Sequence, residues 1–200
     1  MQIQPVLKII NHQITFFVTF KTYIITSRCR RKQYLKHLPH ATVIVIFHNE
    51  VPSLVKRTLH SIVNRSPREL LDEIILVNDA STKDELNDQF ETYLSQHFRG
   101  IVTLVKLQKR VGLINARMVG FKRAKSEIVV FLDSHVEVNV NWLPPLIEPI
   151  AMNPRACTIP IHDRFNSKNF AYEVFDPNGS RGLFAWDFDY RVVKRNMYLP

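Results

Sequence analysis

Four short apolar runs lack the polar alternation of a half-exposed strand: TVIVIF (Thr42 to Phe47), EIILV (Glu73 to Val77), Ile101 to Leu107, and EIVVFL (Glu127 to Leu132). A strand that is apolar and β-branched on both faces must be covered on both, which is the condition of a parallel strand held between two layers of helices. The segments between the runs have a different period. Leu54, Val55, Leu59, Ile62 and Val63 recur on one helical face, with Pro52 near its start and Ser66-Pro67 at its end. Leu86, Phe90 and Leu94 mark a second helix after Ser81, and Gly112 to Ala124 a third, expected to bury Leu113, Ala116, Val119 and the side of Gly120. The order βαβαβαβ predicts an α/β fold with a doubly wound, mostly parallel, Rossmann-like sheet. After Pro160 the regularity fades among Pro177, Gly179, Gly182 and several aromatic residues.

A chain of 200 residues with 46% apolar composition can bury one sizeable core. The formal net charge of +9 favours an anionic partner without choosing between nucleic acid, a membrane surface and a phosphorylated small molecule. Two cysteines, Cys29 and Cys157, rule out a disulfide framework and zinc sites of the paired-cysteine kind. Residues 1–27 are apolar and aromatic, but Lys8, His12 and Lys21 keep the uncharged run below the ~20 residues that span a bilayer. They read as a leader without a clear membrane anchor. The basic stretch Arg28 to Lys36 and Leu38-Pro39 precede the first strand and mark the domain boundary, giving a leader over 1–27 and one domain over 28–200.

In an open parallel sheet, ligands bind beyond the carboxyl ends of the strands. Those ends read His48-Asn49-Glu50, Asn78-Asp79-Ala80-Ser81 and Asp133-Ser134-His135, so acidic and polar groups gather on one edge. Asp133 and His135 stand two apart, which puts both side chains on one side of an extended chain. A carboxylate with an imidazole suits a borderline cation such as Mn²⁺. The triplet alone leaves two roles open, because an Asp at a strand end also serves as a turn residue and a nearby His as a partly buried core residue. Asp79 is likewise a helix cap or an acceptor for a nucleotide's ribose or base. Arg110, just before the third helix, is a phosphate or base contact or a solvated loop residue.

Taken together, these segments resemble the polypeptide N-acetylgalactosaminyltransferases. The likeness begins at Cys29-Arg30 and Tyr34 and continues through ATVIVIFHNE (Ala41 to Glu50), RTLHSIVNRSP (Arg57 to Pro67) and EIILVNDAS (Glu73 to Ser81). It then takes in KRVGLINAR (Lys109 to Arg117), EIVVFLDSHVEVNVNWLPPLIEPI (Glu127 to Ile150) and, more loosely, FAYEVF and GLFAW (Phe170 to Trp186). Residues 1–27 do not match. The resemblance implies a glycosyltransferase A-type fold, incomplete at the C-terminus, and a UDP-GalNAc donor whose sugar passes to Ser or Thr of a polypeptide acceptor with retention, in the Golgi apparatus. It implies Asp79 and Arg110 as uridine contacts, Ser134 against the donor, and Asp133 and His135 as two of three manganese ligands. The family's Trp-Gly-Gly-Glu-Asn segment, its third metal-binding histidine and its lectin domain are not found in the sequence, and Cys29 resembles a cysteine whose disulfide partner lies in that missing part. Asn78 stands where many members have a second Asp.

Two other readings follow from the same residues: a module that binds a UDP-sugar without transferring it, and a basic nucleic-acid-binding domain built on Arg28 to Lys36 and Lys106 to Lys125. The second lacks any single-strand-binding or helix-turn-helix signature, so no nucleic-acid partner is expected. Asn178-Gly179-Ser180 fits both a glycosylation acceptor and a turn after Pro177. Trp142 and Trp186 read as core or rim aromatics.

Overall fold

The computed structural model describes residues 8–10, 13–15, 31–160, 163–166, 172–173, 180–184, 186–187 and 189–194. The chain divides into two compact units, Met1–Leu35 and Lys36–Pro200. In the first, Lys8–Ile10 pairs antiparallel with Gln13–Thr15. Cys29 and Asn178 lie outside the described residues. Among the described residues no helix is long and apolar enough to cross a membrane.

The second unit is organised around a four-stranded sheet of β1 (Ala41–Phe47), β2 (Leu71–Asn78), β3 (Val102–Lys106) and β4 (Ile128–Asp133). The order across the sheet is β3-β2-β1-β4 and every pairing is parallel. Among the described residues four helices accompany it: α1 (Pro52–Arg65), α2 (Asp88–His97), α3 (Leu113–Phe121) and α4 (Leu143–Met152). The doubly wound parallel α/β fold is therefore as the apolar runs require. On β1 the side chains alternate between two cores. Val43, Val45 and Phe47 join Val55, Leu59 and Ile62 of α1, Phe90 and Leu94 of α2, and Leu143 and Ile147 of α4. Ile44 and Ile46 join Ile75, Val77, Val105 and Ala116 of α3 on the opposite face. β1 and the inner part of β2 are buried on both faces, which is why their runs read as continuous apolar sequence, whereas Thr103 and Lys106 on the edge strand β3 and Phe131 on the edge strand β4 are exposed.

Two elements differ from the sequence expectation. Leu113, expected to be buried, is 52% exposed, because it opens α3 beyond the carboxyl edge of the sheet, while Ala116 and Gly120 one and two turns on are buried against the sheet. Helix α4 carries no helical signal in the sequence because Pro144, Pro145 and Pro149 disguise it. Two of the three fall in the first turn, where the missing N–H groups have no intrahelical acceptor.

The loop after β4 has no regular structure of its own, and α1 satisfies its backbone. Arg57, Thr58, Ser61 and Arg65 lie on one helical face. Thr58 Oγ1 shares its proton between the carbonyls of Ser134 (2.9 Å) and Val136 (2.8 Å), and accepts the Val136 N–H at 3.1 Å. Ser61 Oγ accepts the Val138 N–H, and Arg65 Nη1 donates to the Val138 carbonyl at 2.7 Å. Between them Glu137, its side chain only 6% exposed, is gripped by the guanidinium groups of Arg57 and Arg65.

Helix α3 approaches the sheet through Gly120. A Cβ there would stand 2.5 Å from Ile44 Cγ2 and 3.4 Å from Val77 Cγ2. Ile44 is fully buried and its Cγ2 branches directly from Cβ, so it has little room to yield. Alanine in a helix is favoured over glycine by about 1 kcal/mol, whereas overpacking costs about 1–3 kcal/mol. Gly120→Ala is therefore expected to be destabilising in urea titration, and a variant more stable than the parent would contradict this packing.

Candidate functional site

Between β1 and β4 the strand order changes direction, since the chain runs outward through β2 and β3 and then returns to the far side of β1. Such a reversal leaves a crevice beyond the carboxyl ends. A cavity of about 220 Å³ lies there, lined by Ile46, Phe47, His48, Asp79, Arg110, Leu113, Asp133, Ser134 and His135. All five residues singled out from the sequence, Asp79, Arg110, Asp133, Ser134 and His135, thus meet on one cavity.

Their environments differ. Asp79 at the end of β2 is 3% exposed. Its Oδ1 accepts the Val111 N–H at 2.7 Å and its Oδ2 the Gly112 N–H at 2.9 Å, so the carboxylate braces the loop that opens α3. Gly112 takes a φ of +82°, a conformation that glycine adopts without steric cost. The neighbouring Asn78 turns its Oδ1 to the Ser81 N–H at 2.8 Å. His48 Nδ1 donates to the Asp79 carbonyl at 2.7 Å while Asn49 Nδ2 donates to His48 Nε2 at 3.3 Å, a pattern that assigns the proton to Nδ1. Asn49 itself has a φ of 51° and its Oδ1 accepts the Thr82 N–H, which laces the β1–α1 loop to the β2–α2 loop.

Asp133 is the last residue of β4, and the chain turns at Ser134 and His135 instead of staying extended. The side chains of Asp133 and His135 are 60% and 56% exposed, available to a ligand, whereas Ser134 is buried. Glu50 approaches from the β1–α1 loop, with Oε2 2.9 Å from His135 Nδ1 and 3.4 Å from Ser134 Oγ, and with Oε1 accepting the Val51 N–H at 2.9 Å. Burial pushes the Glu50 carboxyl up, but the Val51 N–H, the His135 hydrogen bond and charge, and the Ser134 hydroxyl outweigh it and hold the group below its ordinary value.

Sequence reasoning assigned no individual role to Glu50 or to Arg117. Arg117 Nη2 lies 3.9 Å from Asp133 Oδ1, its guanidinium sits 5.8 Å from the Phe131 ring centroid, and its Nε is buried without a hydrogen bond. The available signal was spacing: Arg117 is one helical turn beyond Leu113, which lines the cavity. The Arg117 guanidinium beside the exposed Asp133 carboxylate suits a ligand that brings acceptor oxygens and a cation together. Asp133 and His135 offer the oxygen and nitrogen donors for such a cation. Among the described residues no group of three His, Cys, Asp or Glu is placed to hold one.

The family model described as glycosyl transferase family 2 matches residues 42–195. N-acetylgalactosaminyltransferase 6 of Drosophila melanogaster is 49% identical over 163 residues, which cover 82% of this chain and 24% of the fly protein. Polypeptide N-acetylgalactosaminyltransferase 10 of Homo sapiens is 42% identical over 165 residues, 82% of this chain and 27% of the human protein. The crystal structure of GalNAc-T7 with UDP, GalNAc and Mn²⁺ superposes with a TM-score of 0.73 at 34% identity, covering 78% of this chain and 29% of that one. The chain spans about a quarter of the length of the relatives it matches.

The Asp79 brace makes a specific expectation. Asp79→Ala strands two backbone donors at the mouth of α3, each a loss of about 1–3 kcal/mol if it stays buried and unpaired. Hydrogen exchange is expected to speed up at the amides of Val111 and Gly112 in this variant while the β1–β2 amides keep their protection. Unchanged exchange at both positions would show that the carboxylate does not hold the loop.

Proposed function

The chain belongs to glycosyl transferase family 2, and from that premise we propose that it forms the donor-binding part of a polypeptide N-acetylgalactosaminyltransferase, which passes GalNAc from UDP-GalNAc to Ser or Thr of a polypeptide in the Golgi. The observation that carries this reading is the meeting of Asp79, Arg110, Asp133, Ser134 and His135 on one cavity at the sheet's reversal point. Residues 28–200 are read as the nucleotide-sugar-binding domain and 1–27 as its leader.

Within this reading Asp133 and His135 would hold Mn²⁺. The ion supplies neutralisation of the charge that collects on the UDP leaving group. The chain's own residues do the rest. Arg110 lines the cavity and Arg117 stands beside Asp133, and guanidinium donors fixed before the reaction stabilise developing negative charge. Asp79, with both oxygens already engaged, retains lone pairs for a nucleoside and keeps the Val111-Gly112 turn in place beneath it. Ser134 lies between the two metal ligands and faces the donor. The exposed Leu113 gives the nucleoside an apolar wall.

Calorimetry of UDP-GalNAc with the 200-residue chain tests this. Binding is expected with Mn²⁺ and to be lost on addition of a chelator. Asp133→Ala is expected to weaken it by at least about tenfold, since even groups that merely support a metal ligand contribute on that scale. Asp84→Ala, on an exposed 3₁₀ turn away from the cavity, is expected to bind as the parent does. Equal affinity with and without chelator would remove the metal from the account.

A further inference from the structure

We propose that Glu50 is the positioning residue for His135: it fixes the imidazole as the Nδ1–H tautomer and thereby reserves Nε2 for the cation. The inference deepens the donor-site reading, on which the identity of the cation rests, and it starts from a hydrogen bond that this reading does not use. Glu50 Oε2 lies 2.9 Å from His135 Nδ1. An ionised carboxylate only accepts hydrogen bonds, so Nδ1 must carry the proton. In the neutral ring Nε2 is then the nitrogen with a lone pair, and a metal binds only there.

Glu50 is itself held in place. Its Oε1 takes the Val51 N–H at 2.9 Å and its Oε2 lies 3.4 Å from Ser134 Oγ, the hydroxyl between the two candidate ligands. Its side chain is 21% exposed against 56% for His135, so the better-anchored partner orients the freer one. The backbone beneath His135 is pinned independently, by Thr58 Oγ1 at the carbonyls of Ser134 and Val136. The main chain is therefore fixed by α1, and the ring's remaining freedom, its rotation and tautomer, is removed by Glu50. A carboxylate hydrogen-bonded to the distal nitrogen of a metal-binding histidine commonly sets ring orientation and raises ligand basicity, with effects of about 10–100-fold on metal affinity.

Two measurements on the full chain test the proposal, one of them without metal. Long-range ¹H–¹⁵N NMR at pH 8 is expected to show His135 as the Nδ1–H tautomer, and Glu50→Ala is expected to shift it to the Nε2–H form or to a mixture. A His135 ring that is already mixed in the parent, or unchanged in Glu50→Ala, overturns the proposal whether or not Mn²⁺ binds. Mn²⁺ titration followed by electron paramagnetic resonance in the presence of UDP supplies the second arm. Glu50→Ala is expected to lower Mn²⁺ affinity about 10–100-fold, Glu50→Gln to recover part of the loss, and Glu50→Ala to add nothing in a His135→Ala background. A loss that persists in that background would make Glu50 a ligand and not a positioning residue. A fixed tautomer in a chain that binds no Mn²⁺ would instead sink the donor-site reading and leave the orienting role of Glu50 standing.

Discussion

One carboxylate with a buried side chain, Glu137, held between Arg57 and Arg65, is the constraint on which the Asp133–His135 side of the site depends. Taking a carboxylate out of water costs several kcal/mol, and two guanidinium groups from one face of α1 offset that cost only in a narrow range of positions. Such a triad adds little net stability over apolar packing, and its contribution is directional. It decides where the chain runs after leaving the sheet at Asp133. Thr58 and Ser61 then bind the same loop by hydrogen bonds to its backbone, so that four α1 side chains and five loop residues, 134 to 138, behave as one part. His135 stands on that part.

The two aspartates of the cavity show how position decides role. Asp79 is buried and has spent its oxygens on backbone N–H groups across a gap of 32 and 33 residues in sequence. Asp133 is largely exposed, with one distant guanidinium beside it. The residues have the same chemistry, and the turn at Val111-Gly112 makes the difference: two converging N–H groups fix the Asp79 carboxylate in place and leave it only its remaining lone pairs, whereas Asp133 accepts no such backbone N–H among the described residues. The sheet reversal supplies both situations within one crevice.

Much of this was legible in the sequence. The continuous apolar runs of β1 and β2 specified central parallel strands covered on both faces, and Phe90 and Leu94 are buried on α2 as their spacing required, while Leu86 is buried from a separate 3₁₀ turn before it. The strand-end rule alone gathered Asp79 and Asp133 to one edge. What stayed hidden were contacts between residues far apart in the chain. Nothing local marks Glu50 as the neighbour of His135, 85 positions away, or Glu137 as the partner of Arg57. Leu113 misled because a helical period identifies a face but not the point at which a helix outruns the sheet. Helix α4 was concealed because proline discourages helix assignment in general and is penalised much less in a first turn.

The strand order has a kinetic consequence. Strands β1 and β2 with α1 between them form a contiguous unit that closes over a short loop, whereas β4 pairs with β1 only after more than eighty residues have been laid down, Ile128 coming to rest beside Ala41. Closing so long a loop is entropically late, so early folding lies with β1, α1 and β2. The half of the cavity made by His48 and Asp79 takes shape with that nucleus, and the half made by Asp133 and His135 arrives when β4 docks. A nascent chain therefore does not bring the two halves of the cavity together until its sheet is closed, and the cavity itself becomes a mark that the last central pairing of the fold has been made.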